Sequence, residues 1–393
     1  MREGDRVELR RKVALVAALY FVEGFPMGIF SDVWPVYLRD AGASLETIGR
    51  MSLLGLAWTL KALWAPAVDA VGEWRRWITA ALVVMACAVA LLPGHAAGSA
   101  AIVLILAFCL ASATQDIAID ASAVALTARG EEAQLSSVRV AVYRVGKLAF
   151  GAGGLVLADQ LGWATLHGAF ALAIAVFALA SLALPRLQGV ASERADWLRG
   201  LRSLARPGFV GALGFLVFFR LGDLAMGPMV GPFWRDHGHS LTQIGLIPSG
   251  VSALMGILGA ALGGVLVAHT SIAKALVVGG ALAAASNLGY AAAAVAGAPL
   301  AAVTGASLAE SICGGVASVT LVSLLVGACE REHAGTQFAV LTALSPLVGR
   351  LVGGVSGDVV SATSYAAWFA LTGALTLPAL AFVPAAVRWG RRE

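Results

Sequence analysis

The sequence predicts an all-α membrane protein of twelve transmembrane helices, arranged as two six-helix pseudo-repeats. Three observations carry this expectation. First, 59% of the 393 residues are hydrophobic and 13% are charged, whereas soluble domains carry roughly 25% charge. A soluble core could not hide that much apolar surface. Second, apolar windows recur along the whole chain, each close to the ~20 residues needed to cross ~30 Å of hydrocarbon. Third, one loop sequence occurs twice, half a chain apart.

In chain order the first six windows are 12–38, 45–68, 77–93, 99–127, 135–158 and 162–184. The second six are 207–234, 241–268, 274–296, 299–328, 334–359 and 364–387. Short polar turns divide them, such as Arg39-Asp40-Ala41-Gly42 and Arg129-Gly130-Glu131-Glu132, so little remains to build a soluble domain. The stretch 185–206 is the most polar and reads as a cytoplasmic linker between an N-terminal half, 1–184, and a C-terminal half, 207–393. The first window follows a basic segment, and with no small-residue cleavage site before a soluble domain it reads as a retained first helix.

The repeat aligns Arg39-Asp40-Ala41-Gly42-Ala43-Ser44-Leu45-Glu46-Thr47-Ile48-Gly49 with Arg235-Asp236-His237-Gly238-His239-Ser240-Leu241-Thr242-Gln243-Ile244-Gly245. Seven of the eleven positions are identical, at an offset of 235 − 39 = 196. It places the end of the first helix on the end of the seventh. Two parallel six-helix halves are the arrangement of the major facilitator fold.

Lys and Arg accumulate in cytoplasmic loops, and here the asymmetry is large. With the N-terminus inside, eighteen basic residues fall on the cytoplasmic side, among them Arg10, Arg11, Lys12, Arg75, Arg76, Arg129, Arg186, Arg194, Arg199 and Arg331, against Arg39 and Arg235 outside. Both termini are therefore expected in the cytoplasm of a bacterial cell whose inner membrane the chain spans. The net charge of +4 reads as topology rather than as a nucleic-acid footprint. Cys87, Cys109, Cys313 and Cys329 lie in or at the ends of apolar windows and read as small buried side chains, with no disulfide framework.

Charges inside the windows point to function, because each costs ~2.5–3.5 kcal/mol at a helix centre on insertion scales and must face protein or water. Glu23 and Asp32 lie in the first helix, Lys61 in the second, Gln115, Asp116 and Asp120 in the fourth, and Arg139, Arg144 and Lys147 in the fifth. Asp116 and Asp120 are four apart and share a helix face, which predicts an ionic cluster with the basic trio of the fifth helix. The alternative is that these charges only neutralise one another. Arg220, Asp223, Glu310 and Arg350 are the corresponding charges of the second half. Lys61, Arg220, Asp223 and Glu310 have no obvious local partner and read as functional.

Gly24, Pro26, Gly28 and Pro35 interrupt the first window, and Gly222, Gly227, Pro228, Gly231 and Pro232 the seventh, as expected of helices that bend around a midplane site. Gly349-x-x-x-Gly353-x-x-x-Gly357 and Gly259-x-x-x-Gly263 read as close helix packing. Trp34 and Tyr37 are expected as interfacial anchors. Phe30, Trp58 and Trp64 are candidates to stack on a substrate ring.

Several motifs together resemble the peptide–acetyl-coenzyme A transporter family, and within it the AmpG-like permeases. They are Glu23-Gly24-Phe25-Pro26, Leu60-Lys61-Ala62-Leu63-Trp64-Ala65-Pro66, Ala113-Thr114-Gln115-Asp116-Ile117-Ala118-Ile119-Asp120, Tyr143-Arg144-Val145-Gly146, Arg220-Leu221-Gly222-Asp223 and Gly335-Thr336-Gln337-Phe338-Ala339. The resemblance implies a proton-driven importer. Substrates in that family include anhydro-muropeptides, acetyl-coenzyme A and, in a nearby branch, ferric siderophores. By position it points to Lys61, Gln115, Asp116, Asp120, Arg144, Asp223 and Gln337. The loop from Asp69 to Arg76 lacks the early arginine of the superfamily's usual Asp-Arg-x-Gly-Arg-Arg pattern.

The expectation is therefore a secondary, alternating-access transporter of a polar or anionic solute. Substrate contacts fall to Lys61, Gln115, Asp116, Asp120, Arg144, Lys147, Arg220, Asp223, Glu310 and Gln337, around a cavity between the halves, and proton coupling to Glu23 with Asp32 second. Its partners are a small solute, protons and the bilayer. No cofactor, metal or nucleic acid is expected, and the chain is expected to be a monomer. The alternatives are an efflux pump of the same fold and, in another class, a membrane-embedded enzyme or a non-transporting scaffold. His-Glu-x-x-His, Gly-x-Ser-x-Gly and phosphate-loop motifs are absent from the sequence.

Overall fold

The computed structural model describes residues 3–71, 73–95, 98–128, 131–185, 202–330 and 334–391. Arg129, Arg186, Arg194, Arg199, Arg331, most of the predicted linker 185–206, and the side chains of Asp69 and Thr336 lie outside the described residues. Among the described residues eleven helices are long and apolar enough to cross a membrane. They are α1 Val7–Asp40, α3 Trp74–Gly94, α4 Ser99–Leu126, α5 Gln134–Leu161, α6 Trp163–Ser181, α7 Phe209–Asp236, α8 Leu241–His269, α9 Ile272–Val295, α10 Leu300–Ala328, α11 Gln337–Ala362 and α12 Tyr365–Gly390. The second predicted window, 45–68, forms α2, 45–71, which is helical but broken into short segments by 3-10 turns at Ser52–Gly55 and Lys61–Leu63.

Four of the seven identities in the repeated loop do the same job twice. Arg39 donates to the Ala43 carbonyl and Arg235 to the His239 carbonyl, both at 3.2 Å. Gly42 and Gly238 hold φ of 86° and 81°, a left-handed turn that side chains disfavour. Ser44 and Ser240 cap the next helices by accepting from the N–H groups of Thr47 and Gln243, satisfying one of the orphan donors at a helix start. Asp40 accepts from the Trp163 indole at 3.0 Å, and Asp236 from the Tyr365 hydroxyl at 2.8 Å. Those aromatics open α6 and α12, so each loop anchors the last helix of its own half.

The chain forms two compact units. One comprises 1–43, 54–192 and 240–245, the other 44–53, 193–239 and 246–393. They follow the sequence halves except at the start of α2, which belongs to the second unit, and the start of α8, which belongs to the first. In the second unit Gly49 meets Gly357, and Arg50 pairs with Asp358 at 2.7 Å. In the first, Gly245 rests on the Ala152 carbonyl, and the Thr242 hydroxyl donates to Asp159 at 2.6 Å.

The glycines and prolines of α1 act differently from expectation. α1 runs unbroken through Gly24, Pro26 and Gly28 and widens only into a π-turn at Ile29–Val33, ahead of Pro35, which has no N–H for a regular helical bond. Gly24 and Gly28 instead let α1 touch α5, for a Cβ would strike the carbonyls of Tyr143 and Lys147. α7 breaks at Arg220 (φ −113°, ψ 6°), and Pro228 and Pro232 lie inside the helical segment that follows. The paired interruption occurs one helix later, at Ser52–Gly55 in α2 and in the π-turn Gly245–Val251 of α8, which overlap at the repeat offset. Gly259 and Gly263 do pack closely, against Ile312 and Val316 of α10, and Gly349 meets Leu224 of α7.

Aromatic side chains fill the first unit between α1, α5 and α6, where Phe25 and Phe150 centroids lie 4.9 Å apart. Trp34 is buried against Phe108 at 4.6 Å, and Tyr37 is buried against Trp163 and His167. These two are core residues of their unit rather than the interfacial anchors their positions near a helix end predict. The second unit's core gathers Phe215, Phe219, Leu276, Leu324, Val383 and Trp389 from α7, α9, α10 and α12.

Candidate functional site

The first unit gathers five ionisable groups from α1, α2, α4 and α5. The Lys61 ammonium stands 3.5 Å from both Asp116 and Asp120, and it can bridge them because residues four apart on α4 share a face. Arg139 reaches the other oxygen of Asp120 at 3.0 Å, and the Tyr20 hydroxyl donates to that oxygen at 2.7 Å. The Arg139 guanidinium also lies over the Tyr20 ring, 4.6 Å from its centroid. Glu23 sits one turn beyond Tyr20, within range of the charges of Asp116, Asp120, Lys61 and Arg139. Its Oε2 is buried and has no hydrogen-bond partner among the described residues.

The set holds three carboxyls and two cations, one carboxyl in excess. Gln115 is fully buried beside it, and neither end of its amide has a hydrogen-bond partner among the described residues. A buried amide left unpaired costs on the order of 1–3 kcal/mol. The broken course of α2 holds this wall together: the Trp58 indole donates to Ser112, and that of Trp64 to Thr114, each at 3.1 Å.

The predicted grouping is partly redistributed. Lys61, which looked unpartnered in sequence, is shared by Asp116 and Asp120. Of the basic trio of α5, Arg139 joins that set. Lys147 turns to Asp32 at 4.0 Å, and Arg144 is exposed, with no ion pair among the described residues. Asp32 sits in the π-turn of α1, accepts from the Ser31 hydroxyl at 3.0 Å, and rests where a Cβ would stand on Gly151, at the break in α5.

The second unit has its own set. Arg220, at the break of α7, pairs with Asp223 at 3.2 Å, donates to the Gly314 carbonyl of α10 at 2.9 Å, and donates to the Ser318 hydroxyl. Glu310 lies one turn before Gly314 on the same face of α10. Gln337 stands apart from these charges in its bonding: it accepts from the Glu330 N–H at 2.6 Å and donates to Ser203 at 2.9 Å, tying the start of α11 to neighbouring chain. Tyr20 and Ser318 were missed in sequence. Tyr20 stands three residues before Glu23, so their common helix face was the available signal. Among the described residues no three His, Cys, Asp or Glu side chains gather as a metal site.

Residues 16–354 match the family model of the Major Facilitator Superfamily. The anhydromuropeptide permease of Escherichia coli strain K12 is 30% identical over 95% of this chain and 79% of its own. A putative transporter, AmpG 4 of Rickettsia felis, is 24% identical over 92% and 93%. Among solved structures, a bacterial homologue of the human lysosomal transporter Spinster superposes with a TM-score of 0.76 at 15% identity, covering all of both chains. The nucleoside transporter NupG gives 0.72 at 14%, over 95% of this chain and 99% of that one. The chain is thus a multi-pass membrane transporter that belongs to the Major Facilitator Superfamily and, within it, to the AmpG-like permeases.

Proposed function

We propose that the chain is a proton-coupled importer of a polar or anionic metabolite, muropeptide-like or siderophore-like in chemistry, working by alternating access between the halves 1–184 and 207–393. In this reading it is a monomer in a bacterial inner membrane with both termini and the linker 185–206 in the cytoplasm. The observation that carries the reading is the first unit's set of Lys61, Asp116, Asp120 and Arg139 beside the unpaired amide of Gln115. Two cations, two carboxylates and a free amide match a solute bearing both carboxylate and amide groups, as a sugar-peptide does. Similarity to an anhydromuropeptide permease supports the same chemistry.

Lys61 and Gln115 then meet the solute directly, Asp116 and Asp120 exchange Lys61 with it, and Arg144 and Lys147 supply further positive charge. Arg220, Asp223, Glu310 and Gln337 serve the second half. Glu23 is the coupling acid, with Asp32 second: it is the first unit's surplus carboxyl and has no cation of its own. Purified protein in vesicles tests the reading by uptake of a labelled anhydro-muropeptide under an inward proton gradient. Accumulation above the equilibrium level, abolished by Lys61→Gln, is expected. Equal uptake with the gradient collapsed would refute the coupling, and no saturable uptake would refute the substrate class.

A further inference from the structure

The charged residues of the second unit share an imbalance that substrate contact alone does not explain. Arg220 is committed: its guanidinium is docked on α10 through the Gly314 carbonyl and Ser318, and it pairs with Asp223 three residues ahead on α7. Glu310 is the group left over. It forms no ion pair among the described residues, and its one side-chain hydrogen bond there comes from the Ser311 hydroxyl at 3.2 Å. The three groups nevertheless converge. The point where a Cβ would stand on Gly314 lies 3.7 Å from Glu310 Oε1, 4.0 Å from Arg220 Nη2 and 4.0 Å from Asp223 Oδ2. The Asp223 side chain is 5% exposed, and its Oδ1 has no hydrogen-bond partner among the described residues. A buried carboxylate oxygen without a donor calls for one.

We propose that Glu310 carries an exchangeable proton, held in a set with Arg220 and Asp223 that closes over Gly314, so that the second half of the chain takes a proton of its own. The proposal rests on the proton-coupled reading and extends it, since Glu23 is the acid assigned there. One guanidinium balances one carboxylate. Two carboxylates brought together away from water beside a single cation cannot both stay ionised, and in the membrane interior the unbalanced charge is expensive. A single proton makes the set neutral.

The helices packed on α10 add few ionisable groups among the described residues. α8, packed along α10, contributes no acidic or basic side chain short of His269 at its end. α9 contributes Tyr290, whose hydroxyl is within range of Glu310, and α10 itself contributes the neutral thiol of Cys313. Among the described residues the charges acting on Glu310 are those of Asp223 and Arg220. The proton stays with Glu310 because Asp223 already holds the guanidinium. Movement of α7 at its Arg220 break, drawing the guanidinium from Asp223 towards Glu310, would hand the proton to Asp223 or release it. No bond other than O–H is made or broken: in transfer the Asp223 carboxylate accepts the proton that Glu310 gives up, and in release water accepts it and later returns it.

Infrared difference spectroscopy of the purified protein tests this without any solute. The wild type at neutral pH should show carboxylic-acid C=O absorption that shifts in heavy water, and measured in a Glu23→Gln background, which removes the first unit's surplus carboxyl, one such band should remain for the second unit. In that background Glu310→Gln should remove the remaining band and Glu310→Asp should retain it. Asp223→Asn is the sharper variant, because it leaves Glu310 intact yet makes the set neutral without a proton, so the band should vanish there too. Persistence of the band in Glu310→Gln, or its survival in Asp223→Asn, would overturn the proposal. Loss of the proton-coupled reading, through equal muropeptide uptake with the gradient collapsed, would leave these spectra unchanged, so the two failures are distinct.

Discussion

The ionic sets of the two units carry the same surplus of one carboxyl but are built in opposite ways. In the first unit the partners come from four helices, and Lys61, Asp120 and Arg139 keep 31%, 41% and 30% of their side chains exposed. In the second the pair is local, Arg220 with Asp223, and the guanidinium is pinned to the α10 backbone. Partners drawn from several helices and left partly open can be exchanged for groups on a solute. A pair closed within one helix and buried resists exchange and isolates its neighbour, Glu310. In the proposed reading, equal charge thus serves solute contact through the open pairs of the first unit and, in the second, a proton held on Glu310.

The contrast should appear first in stability. Arg220→Met strands the buried Asp223 carboxylate, and breaking a buried pair costs about 3–5 kcal/mol. Thermal or denaturant unfolding in detergent should show a loss of that order, partly recovered in Arg220→Met/Asp223→Leu. Lys61→Gln touches a more open set, where exposed pairs are worth about 1 kcal/mol or less, so unfolding should move little while muropeptide uptake is lost. A drop in stability for Lys61→Gln as large as for Arg220→Met would erase the distinction.

Helix contacts sharpen the comparison next. A Cβ at Gly259 collides with the Ile312 carbonyl, and overpacking costs typically about 1–3 kcal/mol, so Gly259→Val should destabilise the second unit by that amount. Gly227 has open space where its Cβ would stand, and Gly227→Ala should unfold like the parent. The smallest effect is expected at the repeated loop. Ser240→Ala removes a reciprocal capping box and Ser44→Ala a single cap bond, each worth about 1 kcal/mol, with Ser240→Ala the more costly.

Twelve windows, two halves and the duplicated loop were legible because hydropathy and repeat spacing are local signals, and the Arg, Asp, Gly and Ser identities of that loop do the same job twice. The pairing of Asp116 with Asp120 on one face was legible for the same reason. The identity of their cations was not: helical spacing says which residues share a face but not which neighbouring helix supplies the partner, so Lys61 looked solitary and Lys147 was grouped with the wrong aspartates. Glycine carried two readings that spacing alone does not separate, a flexible joint or a close contact. At Gly24 and Gly28 the approach of α5 selects the second. Trp34 misled because proximity to a helix end resembles an interface position, although Phe108 buries it.

The most direct test of proton coupling through the first unit's surplus carboxyl is the flux behaviour of Glu23→Gln in reconstituted vesicles. A coupling acid fixed in its neutral form should still allow the loaded carrier to exchange solute, while net uphill movement stops. Counterflow of labelled anhydro-muropeptide should therefore remain measurable in Glu23→Gln, while acceleration by an inward proton gradient is abolished. If the variant still accumulates solute against its gradient when protons are supplied, Glu23 is not the coupling acid.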